Sequence, residues 1–142
     1  MARAKPGDTQ ATDVTGTYAA AYWRAAVATG SHFNPDIEVF AVLFLNTRRR
    51  IKGHQVIAQG TLDAVQVHAR EVFRTAIVSA SHSIVLMHNH PSGDPLPSEA
   101  DIRVTRELVR AGKLLKIDVL DHVIVGAPKH ASLRELGYLH NL

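Results

Sequence analysis

The feature that most constrains the fold is a set of short apolar segments that alternate with amphipathic ones. Residues 37–45 are rich in β-branched and aromatic side chains and are apolar at both alternating positions, which is typical of a strand buried on both faces. Residues 51–59 predict a second strand that forms a hairpin with the first. Residues 84–87 and 119–125 are two further apolar runs that predict strands.

Other segments before, between and after these strands have apolar side chains at helical spacing. It predicts helices over residues 16–29, 69–79 and 98–116, and a short turn of helix over residues 132–136. Because strands and helices alternate along the chain, the sequence indicates an α/β fold with a mixed sheet.

The length of 142 residues fits one domain with a proper hydrophobic core. An apolar content of 46% and a charged content of 20% exclude wholesale disorder. Residues 1–14 are polar and small and are expected to form a disordered tail, so the domain is predicted over residues 15–142. The net charge of +3 permits a nucleic-acid partner without arguing for one.

The chain contains no cysteine. This excludes disulfides, cysteine nucleophiles, thiolate zinc fingers and the cysteine-containing zinc-deaminase signature. Any metal ion must therefore be held by nitrogen and oxygen. No apolar run resembles a signal peptide or reaches the length of a membrane span, so we expect a cytoplasmic protein without a membrane partner.

A pair of histidines follows the apolar run at residues 84–87. Side chains two residues apart in an extended segment point to the same side, so His88 and His90 can converge on one ion. The alternative is two unrelated histidines bonded to the backbone, which the rest of the pattern disfavours.

Asp101 has a positional argument of its own. Asp101 lies three residues before Val104, and a helix turns by about 100° per residue. Asp101 therefore lies at the head of the apolar stripe that continues through Val104 and Leu108. A carboxylate there is costly unless it is paired or bound to metal. The alternative is a variant capping box in which Ser98 and Asp101 cap the helix.

The spacing His-x-His, seven residues, Ser, two residues, Asp resembles the JAMM motif of the MPN-domain metalloproteases. The likeness to the bacterial RadC branch of that family runs from about Asn34 to the C-terminus. It is carried by residues 38–45, 60–61, 67–73, 88–95 and 121–126.

The resemblance implies a JAB/MPN-like, cytidine-deaminase-like mixed β-sheet flanked by helices. It implies that His88, His90 and Asp101 bind Zn²⁺, and that Ser98 stabilises an oxyanion or orients a water molecule. An upstream glutamate is the expected general base. We expect Glu38, because it opens the doubly buried strand and the family pattern places its glutamate on the corresponding strand.

The expected function is therefore zinc-dependent hydrolysis, of the metallopeptidase or isopeptidase kind, in a DNA-repair-associated family. Peptide or protein substrates follow from this expectation. Three protein ligands leave a fourth position open on a tetrahedral ion, as a catalytic zinc site requires.

Two alternatives belong to other classes. One is a non-catalytic MPN-type binding module, although such scaffolds generally lack the ligand set found here. The other is a DNA-associated accessory protein that uses a basic helix face, although a solvated face is the favoured interpretation. The basic residues of that face are Arg103, Arg106, Arg110 and Lys113. For His122 we favour a core position over a role near the site.

Overall fold

The computed structural model describes residues 2–3, 16–60 and 67–139. Six strands form one sheet: β1 (Ala2–Arg3), β2 (Glu38–Leu45), β3 (Ile51–Gly60), β4 (Ser83–Asn89), β5 (Asp118–Val125) and β6 (His130–Ser132). The helices are α1 (Gly16–Tyr22), which continues as a π-helix (Trp23–Val27), α2 (Ala69–Val78) and α3 (Glu99–Leu115).

The strand order is β1-β3-β2-β4-β5-β6, and among these described strands only β4 and β5 run parallel. A parallel pair needs a long crossover connection, and α3 supplies it. The predicted α/β class, the mixed sheet and the β2–β3 hairpin are therefore confirmed.

Strand β2 separates two apolar layers, because its side chains alternate between the faces of the sheet. Val39, Ala41 and Leu43 pack beneath α1 and the π-helix. Phe40 and Phe44 pack beneath α2 and α3. This burial on both faces explains the continuous apolar run that predicted a central strand.

The loop between β4 and α3 is held against the end of β5. Ala127 N–H donates to the Gly93 carbonyl at 3.0 Å, and Gly93 has a φ of +91°. A Cβ at Gly126 would lie 2.2 Å from the same carbonyl oxygen, so only glycine permits this approach. The close contact fixes the loop between the histidine pair and the helix.

Two predicted elements differ from the structure. The predicted turn of helix over residues 132–136 is present only as a single turn, in which Leu136 N–H donates to the Ser132 carbonyl at 3.0 Å; residues 130–132 pair with β5 as a strand, and residues 133–139 form turns and no helix. Within the predicted tail, Ala2 and Arg3 pair with β3, whereas residues 1 and 4–14 lie outside the described residues.

The predicted first helix is present, but its second half is π-helical, with Ala28 N–H bonded to the Trp23 carbonyl at 2.8 Å. Within the described ranges, no helix has the length and apolar character needed to cross a membrane.

Candidate metal centre

His88 and His90 lie at the end of the central strand β4. His88 is completely buried, and its ring stacks on Phe40 with centroids 6.0 Å apart. His90 follows the strand, and 13% of its side chain is exposed. Its ring Nδ1 lies 2.8 Å from the Asp94 carbonyl oxygen, which orients the imidazole. Both rings lie on the α3 side of the sheet, as strand alternation predicts.

Asp101 occupies the first turn of α3 and is 1% exposed. Its Oδ2 accepts a hydrogen bond from Ser98 N–H at 2.8 Å, and its own N–H donates to Ser98 Oγ at 3.1 Å. This is a capping box, so the capping interpretation is correct. The same carboxylate also faces the histidines, so the two interpretations of Asp101 hold together.

The three predicted ligands meet in one cluster. His88 Nε2 lies 3.2 Å from Asp101 Oδ1, and His90 Nε2 lies 3.1 Å from Asp101 Oδ2. One ligand atom from each residue can be chosen so that all lie within 4.8 Å of one another. The structure therefore places two imidazole nitrogens around one buried carboxylate.

This donor set fits a metal ion. Among the described residues, His88 Nε2 is a buried nitrogen without a hydrogen-bond partner of acceptable geometry. Buried polar atoms are rarely left in this way, and such an atom calls for an unseen water or ion. A cation shared by two imidazoles and a carboxylate satisfies it.

The electrostatics of the cluster also suit a cation. Burial raises the pKa of Asp101, but its contacts with His88 and His90 outweigh burial and hold that pKa well below its usual range. The hydrogen bond with Asp101 raises the pKa of His90, and the charges of Asp101 and Glu38 act in the same direction. Asp101 is thus ionised, the form in which a carboxylate binds metal.

Glu38, the predicted general base, is the partly buried first residue of β2. Phe40 is opposite His88 in the antiparallel β2–β4 pair, so continuing that register places Glu38 opposite His90 on the same face. Its charge also contributes to the raised pKa of His90. Glu38 therefore lies beside the cluster.

Asn89, the residue between the histidines, is a part of the site that was not predicted. Its Oδ1 accepts from Val39 N–H at 2.7 Å, and its Nδ2 donates to the Ile37 carbonyl at 3.1 Å. The side chain thus bonds to the backbone on both sides of Glu38. A polar residue between two ligands at a buried strand end was the available signal.

His122 lies in the core, as predicted, but it also contacts the cluster. Its Nε2 is 2.7 Å from His88 Nδ1, and its Nδ1 is 2.5 Å from Thr105 Oγ1. Burial lowers the pKa of His122 well below its ordinary value. A histidine inside an apolar strand signalled a buried partner, whereas Thr105 carried no signal beyond its position one turn after Asp101.

The predicted basic face of α3 has mixed charge. Arg103, Arg106 and Arg110 line a groove of about 520 Å³ together with Glu99 and Glu107. The two carboxylates reduce the attraction of this groove for a phosphate backbone. This arrangement favours the solvated-face interpretation.

Comparison with known proteins agrees with this geometry. A family model described as RadC-like JAB domain matches residues 17–138. The UPF0758 proteins of Methanosarcina mazei and Methanococcoides burtonii are 48% and 51% identical to the chain over 102 residues, which is 72% of the chain and 44% of each relative. The UPF0758 protein of Symbiobacterium thermophilum is 48% identical over 104 residues, 73% of the chain and 44% of that relative. The chain thus spans less than half the length of these relatives, and it belongs to the RadC-like JAB domain family.

Proposed function

We propose that this domain is a zinc-dependent hydrolase of the metallopeptidase or isopeptidase kind. The observation that carries the proposal is the buried Nε2 of His88, which makes no hydrogen bond of acceptable geometry and faces the carboxylate of Asp101 beside the Nε2 of His90. Membership of the RadC-like JAB domain family supports it.

His88, His90 and Asp101 would hold the ion. Two imidazoles and one carboxylate are a ligand set found at catalytic zinc sites, and the three leave one tetrahedral position open. A zinc ion bound there would lower the pKa of a water molecule to about 7 and polarise the scissile carbonyl group.

Two further residues act on the reacting atoms. The Glu38 carboxylate, beside His90, takes up the proton of the attacking water molecule and returns it to the leaving amine. The Ser98 hydroxyl accepts from Asp101 N–H, so its own O–H is available to donate to the developing oxyanion. Ser98 is exposed and can therefore meet a substrate.

The test compares zinc content and hydrolysis in Glu38→Gln and wild-type protein. The probes are a library of linear peptides and a matched library of lysine isopeptides. We expect Glu38→Gln to keep one zinc ion per chain and to lose about 10²- to 10⁴-fold in rate, the usual contribution of a general base. Glu107→Gln, an exposed glutamate on α3, is the matched control and should remain active.

Full activity of Glu38→Gln would show that Glu38 is not the base. Absence of hydrolysis in zinc-loaded wild-type protein on both libraries would favour the non-catalytic binding module instead.

A further inference from the structure

Behind the metal-facing edge of His88, a series of hydrogen bonds links two of the proposed ligands. His88 Nδ1 lies 2.7 Å from His122 Nε2, and His122 Nδ1 lies 2.5 Å from Thr105 Oγ1. Thr105 Oγ1 lies 2.7 Å from the backbone carbonyl of Asp101. We call His88, His122 and Thr105 the relay; all three are 0% exposed.

The direction of every hydrogen bond in the relay follows from its last member. A carbonyl oxygen can only accept, so the Thr105 hydroxyl donates to Asp101. That hydroxyl has one hydrogen, so it accepts from His122 Nδ1–H. A neutral His122 then has a lone pair on Nε2, which accepts from His88 Nδ1–H.

The opposite direction is unfavourable on two counts. If Thr105 donated to His122, its oxygen and the Asp101 carbonyl oxygen would face each other at 2.7 Å without a hydrogen. His122 would then donate to His88, whose hydrogen would move to Nε2. That hydrogen would point into the ligand cluster, where it prevents coordination.

We propose that His122 and Thr105 are positioning residues that hold His88 in the Nδ1–H tautomer, with the Nε2 lone pair directed at the metal. The proposal deepens the proposed function and rests on it for the metal. The hydrogen on His88 Nδ1 is a property of the metal-free protein as well and can be measured there.

The imidazole of His90 is also held by a backbone carbonyl, but through a direct contact. Its Nδ1 lies 2.8 Å from the Asp94 carbonyl oxygen, which can only accept, so Nδ1 carries a hydrogen and Nε2, 3.1 Å from Asp101 Oδ2, is the atom that would bind the ion. Both imidazoles are thus fixed by a backbone carbonyl. His90 contacts its carbonyl directly, whereas His88 does so through His122 and Thr105.

The experiment uses Thr105→Val, which keeps the β-branched shape but removes the hydroxyl, and Thr105→Ser, which restores it. Thr75→Val is the matched control, because the Thr75 hydroxyl likewise forms a hydrogen bond from a helix to a side chain, that of Gln55. Long-range ¹H–¹⁵N NMR of histidine-labelled, metal-free protein reports the tautomers. Competition with a chelator reports the zinc affinity, and circular dichroism checks the fold.

In wild-type protein we expect a hydrogen on Nδ1 of both His88 and His122. In Thr105→Val we expect an Nε2–H population at His88 and a zinc affinity lower by about 10- to 100-fold, as is usual when the partner of a ligating histidine is removed. Thr105→Ser and Thr75→Val should resemble the wild type in both measurements.

An Nε2–H tautomer at His88 in the metal-free wild type would overturn the proposal. Unchanged zinc affinity in folded Thr105→Val would overturn it too, and either result would leave the proposed hydrolase intact. Conversely, Nδ1–H tautomers in a protein that does not bind zinc would uphold the relay while the proposed function fails.

Discussion

Asp101 Oδ2 accepts a hydrogen bond from the backbone N–H of Ser98, 2.8 Å away, while it also lies 3.1 Å from the Nε2 of His90. One carboxylate therefore caps α3 and faces the proposed metal. Substitutions in this cluster are expected to change helix stability and the proposed metal binding together, so each experiment has to separate the two effects.

Asp101→Asn separates them at the carboxylate. The asparagine Oδ1 can still accept from Ser98 N–H, but the charge that attracts a cation is lost. Thermal unfolding with and without zinc measures the outcome. At a zinc concentration 100 times its Kd, we expect the wild type to gain about 2.7 kcal/mol and Asp101→Asn to gain none.

Asp118→Asn is the control for Asp101→Asn, because Asp118 is exposed at the opposite end of β5 from the site. It should respond to zinc as the wild type does. An undiminished zinc response in Asp101→Asn would show that Asp101 is only a cap.

Ser98 can be examined in the same way. Ser98→Ala removes the N-cap acceptor and should cost about 1 kcal/mol in the free energy of unfolding, measured by urea denaturation. Ser98→Asn keeps a good N-cap but has no hydroxyl. If Ser98 serves hydrolysis, Ser98→Asn should regain stability but remain slow. A rate equal to that of the wild type would limit Ser98 to capping.

Asn89→Ala tests whether the backbone around Glu38 needs its anchor. The substitution leaves Val39 N–H and the Ile37 carbonyl without their partner, which should destabilise the fold by about 1–3 kcal/mol. We also expect a slower hydrolysis rate with nearly unchanged zinc affinity, because Glu38 loses its fixed position while the ligands keep theirs.

Asn46→Ala is the matched control for Asn89→Ala. Asn46 likewise accepts from backbone N–H groups, those of Arg48 and Arg50, but in the β2–β3 turn. It should lose stability without losing hydrolysis rate. Equal rates in the two variants would refute the positioning role of Asn89.

Stability should fall in mild acid because of a histidine distant from the ligands. Burial lowers the pKa of His54, whose Nδ1 lies 2.9 Å from Tyr22 Oη. Below pH 6.5 the unfolded chain then binds more protons at this residue than the folded chain, so the contribution of His54 is present above that pH and is lost as the pH falls. Urea denaturation of metal-free protein at pH 7.5 and 5.5 should show the loss. This loss of stability should be smaller in His54→Gln than in the wild type. His32→Gln, which changes an exposed histidine, is the control and should lose as much stability as the wild type. Equal losses in all three proteins would contradict the role given to His54.

Local periodicity was enough to predict that the three residues converge, whereas their role as metal ligands comes from the family resemblance. Strand alternation placed His88 and His90 on one side, and the helical phase of Val104 placed Asp101 at the head of the buried stripe. These inferences need only the geometry of one strand and one helix, and the structure brings all three residues together.

The contacts and the strand that were not predicted from the sequence depend on tertiary pairing. His122 lies 34 residues from His88, and their contact exists because β4 and β5 pair in parallel. Asn89 reaches the start of β2 only because these strands are neighbours. Residues 130–132 are too short to show a period, and their strand follows from pairing with β5.

The most direct test of the central claim is to locate zinc by anomalous diffraction at its absorption edge in crystals of reconstituted protein. The account predicts one strong peak bonded to His88 Nε2, His90 Nε2 and an Asp101 oxygen, at about 2.0–2.2 Å from each. A zinc peak elsewhere on the chain, or none after reconstitution, would contradict it.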